Sequence, residues 1–161
     1  MGLFFAWDST VRYQDGMARV NLLLNRASPW LDVDSYLPYE GKVVMKNKTA
    51  RMLYVRIPLW VEAEKVRCQV GSSSVNPIWF GRYLFFQDLT PRAVITVTFP
   101  VTERVERFGE FTARFRGNTV VDISPRLDSD SYPGYLRSHL LNDQAPLKQT
   151  VRYASDKVLV W

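Results

Sequence analysis

Apolar residues recur at every second position through most of this chain, and that period commits it to strands. In Arg51–Ile57, Leu53, Val55 and Ile57 share one face while Met52, Tyr54 and Arg56 share the other. In Ala93–Phe99, Ile95, Val97 and Phe99 point one way and Thr96 and Thr98 the other. The same pattern predicts strands at 17–24, 31–37, 42–48, 65–70, 82–87, 101–107, 111–116, 118–123 and 149–154, with a short run at 157–160. Turn chemistry divides them. Asp15-Gly16 is a strong hairpin signal, Glu40-Gly41 precedes a strand, and Asn47–Ala50 links two more. Gly71–Ser74 with Asn76-Pro77 reads as a loop, Thr90-Pro91 as a turn, and Pro58 and Pro100 fall at strand ends, where a missing ladder donor is tolerated.

About ten short strands at this spacing predict an all-β fold, an antiparallel, jelly-roll-like sandwich. The helix candidate is 135–141, two turns inside a long polar loop region at 125–148. With 161 residues, the chain fits a single domain over 1–161, with 1–10 readable as the tail of a domain upstream. An apolar share of 47% and an aromatic share of 14% argue against disorder.

Charge and cysteine content narrow the function. The net charge is +5, but Arg12, Arg19, Arg26, Arg51, Arg56, Arg67 and Arg82 are scattered singly, so the reading is no nucleic-acid partner. A single cysteine, Cys68, excludes an internal disulfide and is expected as a small buried hydrophobe. One histidine, His139, leaves little for a histidine-based triad or metal site. No apolar run approaches the roughly 20 residues of a membrane span. The opening MGLFFAW lacks a basic stretch, so a signal peptide is not expected and the chain as written reads as cytoplasmic.

Asp32 and Asp34 stand out in WLDVDSYLPYEG. Two strand residues two apart lie about 7 Å from each other on one face, inside the roughly 5–9 Å of paired glycosidase carboxylates. Those pairs face one another across a cleft, however, and one strand cannot flank a sugar on both sides. The alternation instead sets Leu31, Val33 and Leu37 inward and Asp32, Asp34 and Tyr36 outward, on a solvated face.

The loop 128–134 imitates the start of a calcium loop, but Pro133 and His139 occupy the positions that need glycine and glutamate. An Asx-rich turn is the better account. Trp30 and Trp79 lie near turns, where exposed rings suit sugars, although core packing or burial against a neighbouring domain is the favoured reading for each. No GxxxxGK or GxG pattern offers a phosphate cradle. Asn47-Lys-Thr49 matches a glycosylation acceptor, relevant in a eukaryotic secretory setting. Neither Cys68 nor His139 has a partner nearby in sequence for nucleophilic catalysis. The residues themselves supply no catalytic, metal or cofactor assignment.

Several longer runs carry a resemblance. VNLLLNRASPWLDVDSYLPYEGKV, LYVRIPLWV, GRYLFF and VITVTFPV together resemble the region after the catalytic barrel in glycoside hydrolase family 127-like proteins, a group that includes bacterial β-L-arabinofuranosidases. The resemblance runs from about Phe5 to Pro125, with Arg56–Trp60, Phe99-Pro100 and Arg116-Gly117 as its markers and VRYASDKVLVW as a weaker match. Gly71-Ser72 stands where that group commonly has an asparagine–glycine turn, and its usual glycine–aspartate before the strand that here follows Pro91-Arg92 is also missing.

The resemblance implies zinc-dependent arabinofuranoside hydrolysis, with cysteine ligands and a glutamate in an (α/α)6 barrel upstream of Met1. Cys68 does not match that motif, so no catalytic residue carries over to this chain. The expectation is a non-catalytic β-sandwich accessory module whose partner is such a barrel. Two alternatives stay open: a free-standing carbohydrate-binding module using Trp30 or Trp79, and a structural domain that forms homo-oligomers through exposed sheet edges.

Overall fold

The computed structural model describes residues 2–124, which fall into two compact units divided after Pro100. The sequence reading ran one sandwich through the whole chain. The predicted helix at 135–141, the loop region 125–148 and the runs at 149–154 and 157–160 lie outside the described residues.

The first unit opens with a short helix, α1 (Gly2–Asp8), followed by β1 (Val11–Gln14), β2 (Met17–Val20), β3 (Leu31–Ser35), β4 (Lys42–Asn47) and β5 (Met52–Arg56). A 3-10 turn at Ala63–Lys65 leads to β6 (Arg67–Val70), β7 (Ser73–Val75), β8 (Ile78–Phe80), β9 (Tyr83–Phe86) and β10 (Val94–Thr98). They form two five-stranded sheets, ordered β1-β2-β5-β9-β8 and β3-β4-β10-β6-β7. Every neighbour pair is antiparallel except β2 with β5, which run parallel. The alternation predicted the strand cores. The structure adds α1 within the 1–10 stretch, β1, β7 in the stretch read as a loop, and β8 directly after it.

Each sheet buries the apolar residues that alternation assigned to its inner face. Ala18, Val20, Leu53, Val55 and Leu84 from the first sheet join Val33, Val43, Met45, Cys68, Ile95 and Val97 from the second in one cluster. The two sheets therefore stack as a sandwich, and each buried Leu, Ile or Val contributes about 1.5–3 kcal/mol. On one side the Tyr13 and Trp30 rings stack 5.0 Å apart and 3° from parallel, joining β1 to the segment before β3. On the other, Val75 and Trp79 pack against the core from β7 and β8. Arg26 exchanges backbone hydrogen bonds with Val33, so the edge of β3 is partly covered. Arg26 also holds α1, donating to the Trp7 carbonyl at 3.1 Å while its guanidinium lies 3.5 Å from the Trp7 ring centre. Burial lowers the Arg26 pKa, against the opposing pull of Asp8.

Two glycines have specific reasons to be glycine. Asp15 and Gly16 both take positive φ, 51° and 83°, which is the two-residue turn whose twist suits the β1–β2 hairpin. At Gly41 the limit is space: a Cβ there would stand 1.6 Å from the Phe99 carbonyl oxygen, where the Phe99 N–H donates to the Gly41 carbonyl at 2.8 Å.

The second unit is an antiparallel meander of β11 (Glu103–Phe108), β12 (Phe111–Arg116) and β13 (Thr119–Ser124), with a register shift between Arg114 and Phe115. Arg104 lies over the Phe115 ring at 4.3 Å, donates to Glu106 at 2.6 Å and reaches the Gly117 carbonyl. Ala113 is its buried apolar residue.

Replacing Gly41 by alanine forces backbone apart rather than a flexible side chain. We expect Gly41→Ala to lower unfolding stability by about 3 kcal/mol or more in urea titrations. Gly71→Ala, where a Cβ meets nothing within 4 Å, should lose only the strain of its positive φ, about 1 kcal/mol.

Candidate functional site

The carboxylates singled out by sequence occupy β3, and one of them is not where alternation put it. Asp32 was expected on a wet face, but it is 8% exposed. The chain before β3 folds back over it: Asp32 Oδ1 accepts from Lys48 Nζ at 2.7 Å and from the Ser28 N–H at 3.2 Å. The same ammonium donates to the Ser28 carbonyl at 2.7 Å, and the Ser28 hydroxyl accepts from the Leu31 N–H. This is a structural clamp on the entry to β3. Asp34 lies 3.7 Å from Lys46, whose residue pairs with Asp32 on the neighbouring strand. Both carboxylates thus face lysines.

The other sequence candidates also turn to packing. Trp30 is half-buried on Tyr13. Trp79 is half-buried opposite Leu84, at the far edge of the other sheet. The structure does not bring these two rings and the two carboxylates to one place. Asn47 is buried, and its amide donates to the Ala50 and Thr90 carbonyls at 2.8 Å each. The acceptor motif is therefore closed to modification in the folded chain. Cys68 lies in the core, where burial pushes its thiol up to about 11. A protonated thiol among apolar side chains does not fit a zinc–thiolate centre. Among the described residues no three His, Cys, Asp or Glu side chains cluster to hold a metal. His139 and the loop at 128–134 lie outside the described residues.

What the fold does assemble is a pair of unlike outer faces. On the second sheet the register sets Asp34, Val44, Thr96, Gln69 and Ser74 in one row, and Lys42, Thr98 and Arg67 in another. That face is polar. On the first sheet the rows read Arg12, Arg19, Tyr54, Phe85, Ile78 and Arg56, Tyr83, Phe80. Tyr54 and Phe85 lie 4.8 Å apart at 37°, and Phe80 meets Phe85 edge-on at 5.5 Å. The Arg19 guanidinium lies 5.9 Å from the Tyr54 and Tyr83 ring centres. Ile78 and Phe80 remain about half exposed. Alternation had already set Tyr54 and Arg56 on one face. It held no signal that Arg19, Phe80 and Phe85 would stand beside them.

Known structures share this fold. The chain is similar to a GH127 β-L-arabinofuranosidase from Geobacillus stearothermophilus T6, with a TM-score of 0.55 and 13% identity, over 70% of this chain and 21% of that one. A GH127 β-arabinofuranosidase matches with a TM-score of 0.55 and 16% identity, over 69% of this chain and 23% of that one. A further glycoside hydrolase matches with a TM-score of 0.51 and 17% identity, over 64% and 20%. The fold is that of one part of GH127 glycoside hydrolases. The chain thus spans about a fifth of the length of the structures it resembles. No family model and no curated protein sequence matches it.

Two outcomes test this account of the candidates. Lys48→Met should destabilise the fold by about 3 kcal/mol, because it strands a buried carboxylate. Lys65→Met, which removes an exposed partner of Glu62, should change stability by less than about 1 kcal/mol. For Cys68, the folded pKa exceeds the unfolded value of 9.0, so its contribution is complete below pH 9 and lost as pH climbs towards about 11. Comparison with Cys68→Val across that window should isolate a loss on the order of 2 kcal/mol in the parent chain.

Proposed function

We propose that this chain is a non-catalytic β-sandwich accessory module of a GH127-like glycoside hydrolase, supporting a catalytic barrel that lies outside these residues. The observation that carries this reading is the fold match to about a fifth of each GH127 chain. The interior supports it as well. Asp32 and Lys48 clamp a strand, Trp30 and Trp79 pack inward, and Cys68 is a core residue, so the chemically distinctive side chains are occupied in holding the sandwich together. Both indoles that a free-standing sugar module would use are half-buried against the core, and Trp30 has one face stacked on Tyr13, which favours the accessory reading.

In this role the sandwich supplies a rigid wall. Its core stiffens two sheets whose outer surfaces can be committed to a neighbour, and the reaction belongs to the neighbour's residues.

The test is hydrolysis of aryl β-L-arabinofuranosides and related glycosides by the purified chain, with and without zinc. We expect no turnover above background. Hydrolysis abolished by a point substitution such as Asp32→Asn or Asp34→Asn, with the fold intact by circular dichroism, would overturn the reading.

A further inference from the structure

The two outer faces of the sandwich differ too much to share one environment. Thr, Lys, Gln and Ser dominate the second sheet's face, as water requires. The first sheet's face gathers Tyr54, Phe80, Tyr83, Phe85 and Ile78 beside Arg19 and Arg56, and no strand position on it is acidic. A contiguous apolar patch of this kind on a sheet face marks a contact surface.

The geometry selects among occupants. A sugar ring needs a flat platform, but the rings here are inclined to one another by 37° to 85°. A second copy of this chain is disfavoured by charge, since two copies would set arginines against a face without a carboxylate. A domain joined through the same polypeptide needs less area, because linkage supplies the effective concentration. The GH127 chains of the same fold are between four and five times as long as the matching region, which leaves length for such a neighbour.

We propose that the outer face of the first sheet is the docking face for a separately folded domain of the same GH127-like protein. That domain presents carboxylates towards Arg19 and Arg56 around an apolar patch that covers Ile78, Phe80 and Phe85. The assignment rests on the accessory-module reading above and adds to it which face is used and what chemistry the partner's surface must carry. The second sheet's face stays in water.

Cysteine labelling tests this directly, since Cys68 is buried with a raised thiol pKa and should stay silent towards maleimide in the folded chain. Phe80→Cys reports on the proposed face and Gln69→Cys on the opposite one, each in this chain and in the full-length product of its gene. In this chain both thiols should label within about twofold of the unfolded rate. In the full-length protein Phe80→Cys should slow at least tenfold and Gln69→Cys should not, and adding Arg19→Glu should restore labelling at position 80. Equal labelling of both sites in a full-length protein that does contain a barrel overturns the docking face and leaves the module reading standing. A full-length product with no further folded domain removes both. Protection of Phe80→Cys in this chain alone assigns the face elsewhere and overturns the inference: to other residues of the chain if independent of concentration, to a second copy if it grows with concentration.

Discussion

A β-sheet that is apolar on one face must hide that face, and in the first unit each of the two sheets does so against the other. Ala18, Val20, Leu53, Val55 and Leu84 meet Val33, Val43, Met45, Ile95 and Val97 in one cluster, so neither sheet is stable as this sheet without its partner. The remaining features follow from that stacking. The sides of the sandwich must be closed, and Trp30 on Tyr13 closes one while Trp79 and Val75 close the other. The entry to β3 must be held down, and the Asp32–Lys48–Ser28 cluster holds it. Asp32, Trp30 and Trp79, which look like chemistry in the sequence, take part in this packing.

The same constraint frees the outer faces. Once the inner sets are buried, each outer row answers only to what lies beyond it, and here the rows diverge. One is a polar, hydrated surface. The other concentrates rings and arginines, with Arg19 already spread over Tyr54 and Tyr83. On the accessory-module reading proposed above, functional weight rests on such a surface. This accords with a chain whose fold corresponds to about a fifth of GH127 hydrolases.

Fold class was readable early because alternation is local: inside and outside can be assigned to Leu53, Tyr54 and Val55 without knowing their neighbours. The Asp15-Gly16 hairpin was readable for a related reason, since its positive φ angles need those two residue types. The short strands β7 and β8 escaped notice because Ser73–Val75 and Ile78–Phe80 are too brief to show a period amid turn residues. The helix α1 escaped because seven residues carry little helical periodicity and its hold comes from Arg26, far along the chain.

By itself, then, the sequence determined an all-β chain, the residues of its core, and a resemblance of its segments to one region of a hydrolase family. Tertiary structure alone decided that β2 runs parallel to β5, that β10 separates β4 from β6, and that Asp32 is covered rather than wet. It also decided that Arg19, Tyr54, Phe80 and Phe85 form one surface. The physical reason is range. Periodicity states which way a side chain points, but strand order and the folding back of a loop are settled by contacts between residues distant in the chain, and a local pattern holds no record of them.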